Sequence, residues 1–362
     1  MKPLSEARAV LTDAVAKGEI PCAVAVAGTP NHCEVVAVEG VRRYSNVSGG
    51  EAVTLDTRFD LASLTKVVVT LPSILHLVDA KEVRLEHPVS HFFSSAGWAQ
   101  SPSLGDVTLR QLLTHTSGLP AWTPLFAWVS ERRTALANVL QTSLGKPNYA
   151  YSDLGFILLG AVVERVSGKR LDEFVTEHVF EPLELPHLSF GPLHTVPVAA
   201  TEDCGWRGEL LEGTVHDENA WVMDGVAGHA GLFGTAEDLA CYAQAWLRLD
   251  ERLGNETLLR EAVSAHVEVD GIRRGLGWQL RGEGSSVGSV ASSSAYGHTG
   301  FTGTSLWVDP AQGWFAVLLT NRVHPHRTRG QNIHALRRAF HEALARKFAA
   351  FSGGRGPAKR KP

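Results

Sequence analysis

Apolar segments typical of β-strands lie near both ends of the chain. CAVAVAG (22–28) and CEVVAVEGV (33–41) predict two strands joined by a Thr-Pro-Asn-His turn. Apolar, strand-like segments return after residue 270, in GLGWQLRG, TSLWVD and WFAVLLTNR. The pattern therefore predicts strands at both ends of the chain and a different kind of structure between them.

From about residue 62 the apolar positions recur with helical spacing instead. The clearest signals are a capping box that starts at Thr108, an apolar run at 154–167 that stops at Gly168, a capping residue at Thr235 and a last helix from about 331 to 348. A further helix is predicted within the first 16 residues, because its apolar positions share one face.

Strands from both termini with helices between them predict one antiparallel sheet with a helical region inserted into it. The fold class is therefore α+β, arranged in three layers (α/β/α), and not a regularly alternating doubly wound sheet. We expect a discontinuous sheet domain (1–60 and 265–350), a mainly helical region (61–264) and a disordered basic tail (351–362).

Composition narrows the range of partners. The 362 residues are 44% hydrophobic and 20% charged, and the net charge of −4 argues against a nucleic-acid or membrane-surface partner. The four cysteines have neither disulfide-framework nor metal-knuckle spacing. No apolar run approaches a transmembrane length, and Glu6 and Asp13 interrupt any secretory-signal core. We expect a cytoplasmic protein and leave its oligomeric state open.

The candidate nucleophile is Ser63, because Lys66 follows it at a spacing of three residues. Residues at i and i+3 share a helix face, so the lysine nitrogen can reach the serine oxygen. A serine hydroxyl becomes a good nucleophile when a neighbouring base takes its proton. The alternative interpretation is an ordinary solvated helix face.

Tyr151, Ser152 and Asp153 directly precede the apolar helix predicted at 154–167. The phenol of Tyr151 can exchange a proton with a nucleophile or leaving group if a nearby cation lowers its pKa. In the alternative interpretation Tyr151 packs in the core while Ser152 or Asp153 caps the helix. Both interpretations can hold, because a cap would determine where Tyr151 points.

His298, Thr299 and Gly300 open a strand segment whose glycines permit close approach of a substrate backbone. A cation and a hydroxyl at this position could hold a carboxylate or polarise the nucleophile, whereas the alternative is a plain hairpin. The glycine-rich loop 225–234 contains His229, which either lines a site or is a hydrogen-bonded structural residue.

Four motifs occur in the order typical of the serine β-lactamase-like family, which the chain resembles. They are FDLASLTK (59–66), LLTHTSGL (112–119), YSD (151–153) and HTG (298–300). The resemblance covers about residues 5 to 345 and implies a β-lactamase/transpeptidase-like fold. Further segments are similar to a subgroup that includes penicillin-binding protein 4B-like proteins and a cell-wall-recycling N-acetylmuramyl-L-alanine amidase: VHDEN (215–219), GHAG (228–231) and LTNRVHP (319–325).

The resemblance also implies a role for each site residue. Ser63 would be acylated, Lys66 would activate it, and Tyr151 would serve as general base and acid. His298 would stand where the family often has lysine, and the backbone N–H groups of Ser63 and Phe301 would form the oxyanion hole. The reaction needs no metal or cofactor.

Two departures from the family pattern affect the expected substrate. Asp153 replaces the usual asparagine and, if it faces Lys66, favours the charged lysine, so that proton transfer would rest more on Tyr151. His298 replaces a permanent cation by a group that is mostly neutral near pH 7, which weakens the binding of a β-lactam or D-alanine carboxylate. Arg322 is either a replacement carboxylate anchor or a solvated strand-end arginine.

The expected function is therefore a serine hydrolase of small esters, amides or peptides: an esterase, a D-amino-acid peptidase or a muropeptide amidase. A true β-lactamase or DD-carboxypeptidase is the alternative, and a non-catalytic binding or regulatory protein is a second. Two other catalytic classes depend on different residues: an α/β-hydrolase on Ser286 in its G-x-S-x-G pattern, and a metal hydrolase on His216, Asp217, His229, His324 or His326.

Overall fold

The computed structural model describes residues 3–44, 49–93, 102–146, 148–330 and 332–352, and its largest element is a nine-stranded antiparallel sheet. In chain order the strands are β1 (Cys22–Thr29), β2 (His32–Arg43), β3 (Glu51–Ala52), β4 (Phe59–Asp60), β5 (Ser189–Phe190), β6 (Asp203–Cys204), β7 (Glu209–Leu210), β8 (Leu232–Gly234), β9 (Val267–Val269), β10 (Ile272–Arg274), β11 (Gln279–Leu280), β12 (Tyr296–Thr299), β13 (Ser305–Asp309) and β14 (Trp314–Thr320). The large sheet has the order β3-β2-β1-β14-β13-β12-β11-β10-β9, so strands from the two ends of the chain meet at the β1–β14 pair.

Helices cover both faces of this sheet. They are α1 (Pro3–Ala16), α2 (Leu71–Asp79), α3 (Val89–Phe93), α4 (Pro102–Gly105), α5 (Leu109–Leu113), α6 (Arg132–Leu140), α7 (Asp153–Ser167), α8 (Leu171–Val175), α9 (Glu218–Val222), α10 (Ala236–Arg248), α11 (Glu256–Ala262) and α12 (Ile333–Ser352). Thr108 forms the predicted capping box with Gln111, and Thr235 caps α10 as predicted.

The period-two pattern of β1 explains the three layers. Val24 and Val26 belong to the core between the sheet and the inserted helices, whereas Ala23 and Ala25 belong to the core beneath α1 and α12. The alanine side lets the two terminal helices pack closely on the sheet and on each other. This arrangement confirms the predicted α+β fold with an antiparallel sheet built from both termini.

Ser63 lies at the start of an apolar helical segment, Ala62–Asp79, in the interior of the protein. The segment opens with a 3₁₀ turn (Ala62–Leu64), continues through a π-helical turn (Lys66–Thr70) and ends as α2. Contrary to the sequence analysis, it is apolar and long enough to cross a membrane, but 78% of its 18 residues are buried inside the protein. Its apolar character is therefore that of a core helix.

The predicted strand GLGWQLRG is mostly a turn. Gly275 N–H donates to Trp278 O at 3.0 Å and Gly277 has a φ of +72°, so the chain reverses there and only Gln279–Leu280 joins the sheet. The last helix extends to Ser352, and residues 353–362 of the predicted tail lie outside the described residues. Two small sheets, β5-β8-β4 and β6-β7, were not predicted, since strands of two or three residues carry no periodic signal.

Candidate active site

Ser63 follows a short β4 strand on a turn that a buried carboxylate organises. Asp60 accepts hydrogen bonds from the N–H groups of Ala62 (2.8 Å, to Oδ1) and His216 (2.7 Å, to Oδ2). Burial raises the pKa of Asp60, although the two N–H donors oppose the rise. Ala62 has a φ of +47°, an uncommon conformation for a residue with a Cβ, so this turn is held by its surroundings.

Lys66 is completely buried beneath Ser63. Its Nζ lies 3.0 Å from Ser63 Oγ, 2.7 Å from Asp153 Oδ1 and 3.2 Å from the carbonyl oxygen of His229. Burial by itself lowers the pKa of Lys66, but the charges of Asp153 and Tyr151 outweigh burial and raise it above its ordinary value. Lys66 is therefore an ammonium at neutral pH, and it donates to Ser63 instead of accepting its proton.

Tyr151 lies beside Lys66 and is oriented by its neighbours. The ring centroid is 4.9 Å from Lys66 Nζ and 4.5 Å from the ring of His115. His115 Nδ1 accepts the N–H of Ser152, and the Ser152 hydroxyl accepts the N–H of Gly155 to cap α7. The cap therefore belongs to Ser152, which leaves the next residue, Asp153, free to face Lys66. His115 therefore helps to position Tyr151 and Ser152. Its motif, LLTHTSGL (112–119), was recognised in the sequence, but no role was predicted for His115 itself.

His298 presents an acceptor to the site, not a cation. Its Nδ1 lies 2.9 Å from the Thr299 carbonyl oxygen, so Nδ1 carries the hydrogen and Nε2 has the free lone pair. Nε2 is buried and has no partner among the described residues. Burial, with the nearby charges of Arg274 and Lys66, lowers the pKa of His298 well below 6.5. The hypothesis that a cation at this position holds a carboxylate has no support here.

The end of β12 is joined directly to the nucleophile turn. Thr302 Oγ1 donates to Asp60 O at 2.7 Å, and Thr304 Oγ1 donates to Leu61 O at 3.1 Å. A Cβ added at Gly300 would lie 2.5 Å from Leu61 O, so only glycine permits this approach. The Phe301 N–H donates to no atom of the described residues, which leaves it available as an oxyanion donor.

Three arginines line a cavity of about 360 Å³ on one side of Ser63, called here the arginine pocket. Arg274, Arg322 and Arg337 are each at least nine-tenths buried, and among the described residues none lies within ion-pair distance of a carboxylate. Uncompensated buried cations are costly, so their combined field in this pocket favours an anionic ligand. Tyr151, His298 and Thr299 are among the other residues that line this pocket beside Ser63.

The three arginines differ in how much of each guanidinium is free. Arg322 Nε donates to Phe301 O at 2.8 Å, and Arg337 Nη2 donates to Gly300 O at 2.6 Å, so both stabilise the oxyanion loop. Arg274 Nε donates to Tyr149 Oη, and among the described residues neither Arg274 Nη1 nor Arg337 Nε, both buried, has a hydrogen-bond partner. Because Arg274 makes no hydrogen bond to the oxyanion loop, it is the best-placed anion anchor. It was missed because a charged residue in a short strand gives no catalytic signal.

A second cavity of about 390 Å³, the aromatic cleft, is also lined by Ser63. Phe301 and Trp122 give it an apolar wall, and Asp153 and Asp217 contribute carboxylates. Asp217 Oδ1 lies 2.9 Å from Nε2 of buried His229. Burial favours the neutral acid, but the charge of His229 outweighs it and lowers the pKa of Asp217. His229 is thus hydrogen-bonded through both its ring and its carbonyl.

The residues of the other two catalytic classes form no comparable site. Ser286 Oγ is buried, accepts a hydrogen bond from Trp307 Nε1 at 3.1 Å and lines neither cavity beside Ser63. Within the described part of the chain, no three His, Cys, Asp or Glu side chains are grouped so that they could hold a metal ion.

Comparison with known proteins agrees with this geometry. A family model described as Beta-lactamase matches residues 7–340. An N-acetylmuramyl-L-alanine amidase of Bacillus subtilis (strain 168) is 33% identical over 313 residues, which cover 74% of this chain and 68% of that protein. A protein of Escherichia coli (strain K12) named as a D-alanyl-D-alanine carboxypeptidase is 33% identical over 310 residues, covering 75% of this chain and 70% of that protein.

The solved structures show the same fold at lower identity. A class C beta-lactamase from Rhodobacter sphaeroides superimposes with a TM-score of 0.74 and 17% sequence identity, over 95% of this chain and 99% of that one. The predicted β-lactamase/transpeptidase-like fold is thereby confirmed.

Proposed function

The chain belongs to the beta-lactamase family and is a serine hydrolase, and from this premise we propose that it cleaves amides whose leaving amine carries a carboxylate. The observation that carries the proposal is the arginine pocket beside Ser63, where buried Arg274 Nη1 has no partner among the described residues. A free carboxylate two or three bonds from the scissile nitrogen would complete its hydrogen bonds.

The proposed reaction has two steps. Ser63 Oγ attacks the amide carbon, and its proton passes to the Tyr151 oxygen, which starts this step as a phenolate stabilised by the positive charges of Lys66 and Arg274 and ends it as a neutral phenol. The carbonyl oxygen takes its negative charge between the N–H groups of Ser63 and Phe301. The C–N bond then breaks, the amine leaves with the proton from Tyr151, and water hydrolyses the Ser63 ester.

Two relatives support this substrate class. N-acetylmuramyl-L-alanine and a peptide ending in D-alanyl-D-alanine both release an amino acid with a free carboxylate. The two substrates differ in the acyl part, a muramyl lactyl group in one and a peptide in the other. A β-lactam also carries a carboxylate beside its scissile nitrogen, so neutral His298 does not by itself make cephalosporins and penicillins poor substrates, and the cephalosporin in the panel below tests that expectation.

The experiment is a hydrolysis panel of matched pairs: N-acetylmuramyl-L-alanine and an acylated D-alanyl-D-alanine peptide, each with a free carboxylate or as the carboxamide. Aryl esters and a chromogenic cephalosporin complete the panel. We expect kcat/KM for the free acids to exceed that for the carboxamides about tenfold or more, because one charge-assisted hydrogen bond is lost. Arg274→Gln should abolish that preference.

Ser63→Ala tests the nucleophile, and Ser286→Ala is its matched control. Ser63→Ala should lose both hydrolysis and labelling by a fluorophosphonate, whereas Ser286→Ala should retain labelling. The proposal fails if the carboxamides are cleaved as fast as the acids. It also fails if only aryl esters or the cephalosporin are turned over.

A further inference from the structure

An exposed group of aromatic side chains continues the aromatic cleft away from Ser63. The aromatic rim consists of Trp122, Phe126, Trp206 and Trp221, of which the three tryptophans are 46%, 53% and 42% exposed. Ring centroids lie 6.3 Å apart for Trp122–Phe126, 4.9 Å for Phe126–Trp206 and 5.4 Å for Trp206–Trp221. Trp122 also lines the aromatic cleft, so the rim and the catalytic serine share one surface.

Hydrogen bonds hold the rim in place without any ligand. The buried Asn219 accepts the N–H of Phe126 at 3.2 Å and donates to Thr123 O at 2.8 Å, which joins the Trp122 loop to α9. Arg207 lies over the rings of Trp206 and Trp221 and donates to Val215 O at 2.6 Å. A surface ordered in this way loses little conformational entropy when a ligand binds.

The rim has the composition of a surface that binds an amphipathic ring. Exposed indole faces provide flat apolar area, and polar groups stand beside them: Arg207 above the rings and Glu218 and Arg327 in the adjoining cleft. A pyranose has the complementary structure, with an apolar C–H face and hydroxyl groups around its edge.

The direction of the scissile bond decides which part of a substrate reaches the rim. In the proposed function the carboxylate of the leaving amine occupies the arginine pocket, which leaves the second cavity lined by Ser63 to the acyl group. That cavity is the aromatic cleft, and Trp122 connects it with the rim. The leaving group and the acyl group therefore meet surfaces of opposite character.

We propose that the aromatic rim is an acyl-side subsite for a sugar ring, so that the preferred substrate is a muramyl amide and not an acylated peptide. This inference rests on the proposed function for its orientation. Stacking on Trp206 and Trp221 would hold the pyranose while its lactyl carbonyl lies at Ser63.

The test compares two amides that share the scissile bond. One is N-acetylmuramyl-L-alanine, and the other is 2-methoxypropanoyl-L-alanine, which keeps the lactyl ether and the alanine but lacks the sugar. The wild-type ratio of kcat/KM, sugar-bearing over sugar-free, should be about tenfold or more, carried by KM. In Trp206→Ala and Trp221→Ala the ratio should fall toward one. Trp128→Ala, which removes a tryptophan that is 63% exposed outside the rim, should keep the wild-type ratio.

A binding measurement separates this proposal from the amidase proposal. N-acetylmuramic acid is titrated into Ser63→Ala protein, and tryptophan fluorescence is followed. Quenching that disappears in Trp206→Ala supports the sugar subsite even if wild-type protein cleaves neither amide, an outcome that would overturn only the proposed function. Cleavage of both amides at equal rates, or quenching that survives in both rim variants, would overturn the subsite.

Discussion

The ammonium nitrogen of Lys66 lies 2.7 Å from Oδ1 of Asp153 in the interior of the active site. The lysine is completely buried and the aspartate side chain is 18% exposed, so solvent screens the pair only partly. The pair keeps Lys66 charged and assigns it the role of a hydrogen-bond donor to Ser63. In the proposed mechanism proton acceptance then falls to Tyr151.

Asp153→Asn is expected to destabilise the protein by about 3 kcal/mol at pH 7, because it leaves a buried ammonium without its counter-charge. In the wild-type protein the pKa of Lys66 is raised above 10.5. The contribution of the ion pair to stability is therefore fully present below pH 10.5 and is lost only above the folded-state pKa. In the variant, which lacks the Asp153 carboxylate, burial should lower the pKa of Lys66 below its value in the unfolded chain. Between these two pKa values the unfolded chain would bind one proton more than the folded protein. The stability of the variant should rise with pH.

Urea denaturation at pH 7 and pH 9.5 measures this effect. The gap between wild type and Asp153→Asn should narrow at the higher pH, and equal gaps would contradict the pairing. Asp13→Asn is the matched control, because it removes the same charge from the exposed Lys17–Asp13 pair. Its cost should be much smaller than that of Asp153→Asn, because solvent screens an exposed ion pair.

His298→Lys is expected to lower kcat/KM about tenfold or more, although it installs a residue common in the family at this position. The wild-type ring offers an acceptor at Nε2, and lysine has donors only. The new ammonium would also be repelled by the charges of Arg274 and Lys66. His298→Gln, whose amide oxygen can accept, should retain more activity than His298→Lys. Higher activity of the lysine variant on carboxylate substrates would refute the acceptor role.

Gly300→Ala is expected to reduce kcat/KM on the order of 100-fold, because displacement of catalytic groups by about 1 Å costs that much. The added Cβ would lie 2.2 Å from Thr304 Oγ1 and 2.5 Å from Leu61 O, so the oxyanion loop must move away from Ser63. Gly145→Ala is the control, since its Cβ would meet no atom closer than 3.5 Å. Fluorophosphonate labelling rates measure the effect, and equal rates for the two variants would exclude it.

Sequence alone predicted the elements whose signal is periodic or carried by a motif. β1 and β14 are recognisable because every residue before their final threonine is apolar, and the caps at Thr108 and Thr235 follow from short hydroxyl patterns. The four motifs singled out Ser63, Lys66 and Tyr151, and these side chains lie close together in the structure.

The unpredicted parts depend on contacts between residues far apart in the chain. Arg274 and Arg337 come together only because β10 and α12 approach the end of β12, and neither residue belongs to a motif. The aromatic rim likewise collects residues from three separate segments. Spacing alone could not decide whether Asp153 faces Lys66 or caps α7, since Ser152 and Asp153 both lie at the start of that helix.

Stability is expected to fall as pH decreases from 6.5, in part because His341 is buried as a neutral ring. Its Nε2 lies 3.1 Å from Ser305 Oγ, and burial, helped by Arg337, lowers the pKa of His341 to about 3. Between pH 6.5 and 3 the unfolded chain therefore binds a proton that the folded protein does not. This difference weakens folding by about 1.4 kcal/mol per pH unit for one such group.

His341→Gln keeps a polar partner for Ser305 but cannot bind the proton. Its free energy of unfolding, measured from pH 6 to pH 4, should fall less steeply than that of wild type by about 1.4 kcal/mol per pH unit. The exposed His194 provides the control, and His194→Gln should keep the wild-type slope. Parallel slopes for wild type and His341→Gln would show that this ring is not neutral in the folded protein.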